Sequence, residues 1–162
     1  MAAIYDLPGI SWAGLEAAAP ALAADGGVLL DRARGGAALL ATVRGDGLPR
    51  LNPVSVAIVD GRLLVFVLAS DKRGDLELDG RFALHAYQDP AAPSEFAVRG
   101  RARRIVDGAI REAAAAVWPF EVDDSYWLFE LRIEAATIGR RPTADDWPPV
   151  YESWPRRPGS TG

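Results

Sequence analysis

The segment Ser70-Asp71-Lys72-Arg73-Gly74-Asp75-Leu76 brings a hydroxyl, an ammonium and a guanidinium close together in the chain. Those are the donor types that a phosphate dianion demands of its binder. A short helix capped near Asp75, carrying Leu76 and Leu78, would direct its N-terminal amides toward the same point. Arg50 offers a second guanidinium, and Asn52 shares its strand face. Pro53 removes a ladder donor and marks a place where regular strand pairing is expected to stop. The run Arg99, Arg101, Arg103 falls on one face of a strand, with Arg104 on the other. Such a run ordinarily decorates a wetted surface, and Arg99 is the one member retained as an anion-binding candidate.

His85 is the sole histidine and cysteine is absent. Thiolate zinc sites, iron–sulfur clusters, disulfides and thiol catalysis are thereby excluded. A lone histidine titrates near neutrality and binds metals, but His85 beside Tyr87 reads as a structural, hydrogen-bonded residue at a subunit contact. The acid pairs Asp123-Asp124 and Asp145-Asp146 read as solvated loop residues, and no Ser/His/Asp triad can be drawn. Catalytic residues are therefore not assignable from side chains alone, and no metal site is expected.

The elements that must position these groups follow from composition and pattern. With 162 residues, 49% hydrophobic and 25% charged, one globular unit is expected. No run of about 20 apolar residues suits a membrane helix. Residues 1–8 lack the basic start of a secretory signal, so a cytoplasmic location is expected. The net charge of −4 and pI near 5.0 argue against nucleic acid as a partner, because duplex affinity rests on a basic surface. A small-molecule ligand is the better expectation.

Residues 11–33 read as helix, broken at Pro20 and at Gly26-Gly27 into shorter pieces. From Ala37 the chain changes to short β runs joined by Asp46-Gly47 and Asp60-Gly61 turns, a meander signal. Further strands are expected over 82–88, 96–106 and 126–138, with an Ala-rich helix at 107–117. Residues 142–162 are too rich in proline for a regular element and read as an extended aromatic arm that frays after Trp154. This gives a helical segment over 1–36, a barrel domain over 37–140 and an arm over 141–162. The fold class is mainly β with peripheral helices, a six-stranded antiparallel barrel.

The block from Ala41 to Arg103 resembles the pyridoxamine 5'-phosphate oxidase-like, FMN-binding split barrel. The resemblance rests on an ordered set: Ala41 to Arg50 as the first hairpin, Asn52-Pro53-Val54 as the strand bordering the flavin, Ser70 to Leu76 as the phosphate loop with its short helix, and Phe82 to His85 with Glu95 to Ala102 as the fourth and fifth strands. It implies a homodimeric flavoprotein, an FMN-dependent oxidoreductase with sites built across the two-fold interface and a small-molecule substrate. It also implies cofactor contacts from Arg50, Asn52, Pro53, Val54, Ser70, Lys72, Arg73, Leu76 and Arg99. Two alternatives stay open: an F420-dependent reductase on the same barrel, and a non-catalytic flavin- or haem-binding module. The chain has no histidine after residue 85, so it lacks the C-terminal Arg-x-His pattern of pyridoxamine phosphate oxidation itself, and the substrate stays unassigned.

Overall fold

The structure is a computed structural model that describes residues 9–31 and 36–156. The readings of residues 1–8, of residues 32–35 and of the fraying tail beyond Arg156 lie outside the described residues. Ser11 caps α1 (Trp12–Ala18) by accepting from the Gly14 amide, and Pro20 opens α2 (Pro20–Asp31). Pro20 breaks the helical run, as its ring and missing N–H require. The glycine pair does not: a Cβ at Gly26 would collide with the Phe96 ring. Gly26 is therefore a close-packing position inside α2, where its backbone lies against the barrel.

The strands are β1 (Ala37–Val43), β2 (Pro49–Val59), β3 (Arg62–Val67), β4 (Arg81–Ala86), β5 (Glu95–Ile105), β6 (Trp127–Arg140) and β7 (Val150–Trp154). Their order is β3-β2-β1-β4-β5-β6-β7, and β6 also pairs with β3. Six strands thus close into an antiparallel barrel. β7 adds a seventh to the edge of β6 that β3 leaves free. This corrects the expectation of an irregular arm: the prolines flank β7, and its five residues carry a regular ladder from Val150 opposite Arg140 to Trp154 opposite Ala136.

Turn chemistry sets the meander. Asp60 and Gly61 adopt φ of 47° and 71°, the pair of positive values that a two-residue primed turn needs. At the first turn Gly47 alone is left-handed, at 84°, while the Asp46 carboxylate accepts from the Leu48 amide.

Alternation then sorts the residues. Inward-facing Leu40, Leu63, Val65, Leu84, Phe96, Val98, Phe129, Leu131 and Ile133 fill the barrel, and Trp12, Leu15 and Leu22 close it from the helical side. α4 (Gly108–Val117), capped by Asp107, covers a second cluster of Leu64, Phe66, Ile105, Leu128, Ala114 and Trp118 on the outer face. None of the described helices is long and apolar enough to cross a membrane.

Candidate functional site

The phosphate-loop segment folds as α3 (Asp71–Leu78), entered directly from the end of β3. The helix begins four residues earlier than Asp75, with Ser70 as the extended N-cap residue, so the expected start near Asp75 is corrected. Two facts decide its chemistry. The Ser70 hydroxyl donates to the Leu68 carbonyl at 2.9 Å and makes no cap bond, so no side chain caps the first-turn amides. Those amides, with the positive end of the helix dipole, favour an anion.

Asp75 is a buried anchor inside α3. It accepts from the Thr42 hydroxyl at 2.7 Å and from Arg50 Nε at 2.9 Å. Thr42 lies opposite Arg50 in the β1–β2 ladder, so one carboxylate ties α3 to both strands. The hydrogen bond to Asp75 is also the main reason the Arg50 guanidinium is held above its ordinary pKa. Arg50 Nη1 reaches the exposed Asp71 carboxylate at 3.0 Å, an exposed pair of the kind that solvent and competing anions readily displace.

Lys72, the only lysine in the sequence, is half-buried. Among the described residues it makes no ion pair or hydrogen bond. Burial pushes its pKa down, because desolvation penalises an ammonium that has no counter-ion. Arg73 takes a different role: its Nη1 donates to the Ser125 carbonyl at 3.1 Å, and its guanidinium lies 4.2 Å from the centroid of the Trp127 ring. Arg104 covers the same ring at 3.3 Å. Trp127 begins β6 and sits opposite Val67, the last residue of β3, which explains its place beside the loop.

The remaining sequence candidates are distributed as follows. Asn52 and Val54 face the barrel with Arg50, opposite Leu40 and Ala38. The amide nitrogen of Asn52 is buried without an acceptor. The ladder runs through Pro53, which pairs with Leu39, so pairing does not stop there. Here β2 borders β1 alone, because β3 joins it only from Val56 onward, and an edge tolerates the missing donor. Leu76 is 3% exposed and belongs to the core. Arg99 stands on the outer face of β5, in a cleft whose lining includes none of residues 70–76. The structure therefore gathers Arg50, Ser70 and Lys72 around the start of α3 and sets Arg73 against Trp127.

Sequence reasoning missed Thr42 and the anchoring role of Asp75, since a threonine in a strand and an acid in a turn carry no distinguishing pattern. His85 places Nδ1 2.7 Å from the Ala86 carbonyl, which makes Nδ1–H the donor and leaves Nε2 outward, 3.7 Å from Glu95. Glu95 in turn accepts from the Tyr151 hydroxyl at 2.7 Å, and that bond raises the Tyr151 pKa.

A closed six-stranded antiparallel barrel, with a short helix entered from the end of its third strand, defines a split-barrel protein. The family model for pyridoxamine 5'-phosphate oxidase matches residues 33–138, and the chain belongs to that family. No curated protein matches the sequence. Among solved structures, HupZ from Group A Streptococcus superposes with a TM-score of 0.61 at 16% identity, over 74% of this chain and 95% of its own. A putative pyridoxamine 5'-phosphate oxidase from Listeria innocua gives 0.55 at 18%, over 68% and 92%. A heme binding protein from Mycobacterium smegmatis gives 0.57 at 16%, over 80% and 57%. At these identities the likeness is one of fold.

Proposed function

We propose that the chain is an FMN-dependent oxidoreductase acting on a small molecule as a cytoplasmic homodimer, with the FMN phosphate held at the start of α3. The observation that carries this reading is Lys72: a half-buried ammonium with no partner among the described residues, in the first turn of a helix whose amides no side chain caps. A phosphate dianion there would gain a charge-assisted bond from Lys72 and bonds from the α3 amides. It would also compete with exposed Asp71 for Arg50, whose orientation Asp75 and Thr42 keep fixed. Arg50, Lys72 and the α3 amides thus fit the group. Bound FMN supplies the hydride chemistry, and the chain supplies position and electrostatics.

Support for a dimer comes from the outer face of β1 and β2. Leu39 and Leu51 are 44% and 65% exposed there, with Pro53 opposite Leu39, an apolar strip suited to burial against a second copy. The alternative reading, deazaflavin F420, would draw on the same donors, Arg50, Lys72 and the α3 amides, for its phosphodiester. A haem-binding reading has one observation in its favour: the Nδ1 bond of His85 turns Nε2 outward, 3.7 Å from Glu95, as a candidate ligand atom. One experiment separates these. Visible spectra are recorded for the purified protein and during titration with FMN, F420 and haem. Flavin bands with saturable FMN binding support the proposal. Saturable F420 or haem binding without FMN binding refutes it.

A further inference from the structure

We infer that the outer face of β5, β6 and β7 carries a second ligand site, an open cleft of about 410 Å3 that takes a small planar molecule bearing an oxyanion. It rests on residues other than those of the α3 cradle.

The argument begins with the pairing of the arginines along β5. Arg103 bonds to buried Glu130 at 2.7 Å and Arg101 faces Glu134 at 3.5 Å. Arg99, next on the same face, has no ion pair or hydrogen bond among the described residues. A bulge explains the difference. The β5–β6 register shifts between Arg99 and Gly100, so that Arg99 lies opposite Ala135, Gly100 opposite Ile133, and Glu134 is the extra residue, turned toward Arg101. The bulge needs glycine, because a Cβ at position 100 would collide with the Arg132 carbonyl. Beyond it, β6 offers only Ala135 and Thr137 on the outer face, and β4 offers Ala83 opposite Arg99.

The far wall of the cleft comes from β7 and the two residues after it. Pro155 supplies apolar surface beside Trp154, whose ring itself packs against the barrel core, and Arg156 supplies a second guanidinium with no partner among the described residues. On the same lining, the hydroxyls of Thr137 and Ser153, opposite each other in the β6–β7 ladder, lie 3.1 Å apart. Two hydroxyls sharing one hydrogen bond leave one O–H free to donate. The floor is made of Ala83, Ala97 and Ala135, whose small side chains leave the sheet surface flat. In a chain with 22 acidic and 18 basic side chains, two uncompensated guanidiniums beside a spare hydroxyl mark a place for an anionic head group. The flat alanine floor accepts an apolar ring. The volume falls within the range of small-molecule sites.

The test follows backbone amides by NMR while 15N-labelled protein is titrated with 2-naphthoate, 2-naphthyl phosphate and uncharged 2-naphthylmethanol. The two anions should shift Ala97, Arg99, Ala135 and Ser153 and bind at least tenfold tighter than the alcohol. Arg99→Gln should remove that advantage, and Lys72→Ala should leave it intact. Whichever anion binds tighter indicates the head group, carboxylate or phosphate. Arg156→Gln applies the same test should Arg99→Gln misfold. Equal affinity for the alcohol, anion shifts confined to residues 70–76, or undiminished anion binding in both arginine variants would overturn the inference.

Discussion

Thr42→Val tests whether Asp75 anchors the site from within the fold. Valine keeps the shape of threonine and leaves no cavity, but it removes a buried hydroxyl that donates to the Asp75 carboxylate at 2.7 Å. Thr42 and Asp75 are 1% and 7% exposed, so water cannot replace the lost donor. A hydrogen bond to a charged group contributes about 1.5–3 kcal/mol. The new methyl returns up to about 0.8 kcal/mol by burial, leaving a net loss of about 1–2 kcal/mol. For a chain of this size that lowers Tm by about 2–8 °C. Urea unfolding followed by tryptophan fluorescence should show a lower midpoint with an unchanged slope. FMN affinity should fall several-fold as Arg50 loses part of its orientation, while riboflavin affinity holds. A stability change below about 0.5 kcal/mol, the range of ordinary surface substitutions, would refute the claim that this carboxylate is an anchor.

Gly100→Ala should destabilise the barrel by about 3 kcal/mol or more, or abolish soluble expression, because the added methyl meets the Arg132 carbonyl at the bulge; thermal unfolding by circular dichroism measures it. The Asp79 carboxyl, hydrogen-bonded by Arg81, should titrate at about 2 by carbon NMR and return toward 3.8 in Arg81→Gln. Because its folded value is depressed, this contact stabilises the protein above about pH 4, and the contribution fades as pH falls toward 2. Lys72, desolvated and without a counter-ion among the described residues, should react readily with an amine label at pH 8 in the absence of ligand. FMN should protect it and riboflavin should not, as read by peptide mass mapping.

Much of the fold was legible because its determinants are local. Asp60-Gly61 dictated a tight hairpin and Pro20 a helix break, and the alternation of Trp127, Phe129, Leu131 and Ile133 placed one face of β6 in the core. What escaped depended on partners distant in sequence. Gly26 reads as a helix breaker until the Phe96 ring is seen against it. The strand at Val150–Trp154 forms because β6 outruns β3 and leaves a free edge, a length mismatch that no local pattern in the arm reveals. In the site, Lys72 and Arg50 were visible as charges. Their states were not: whether an arginine is held by a carboxylate or left unpaired is decided by strand register, as the contrast between Arg99 and Arg103 shows.

The central claim, a phosphate held by Lys72 at the start of α3, is tested most directly by calorimetric titration of wild type and Lys72→Ala with FMN and with riboflavin. The two ligands share the ring system and differ in the phosphate. Loss of one charge-assisted bond, about 1.5–3 kcal/mol, corresponds to a drop of about tenfold to a hundredfold. The account predicts that drop for FMN alone, with riboflavin affinity unchanged in the variant. Equal losses for both ligands, or wild-type protein binding riboflavin as tightly as FMN, would contradict it.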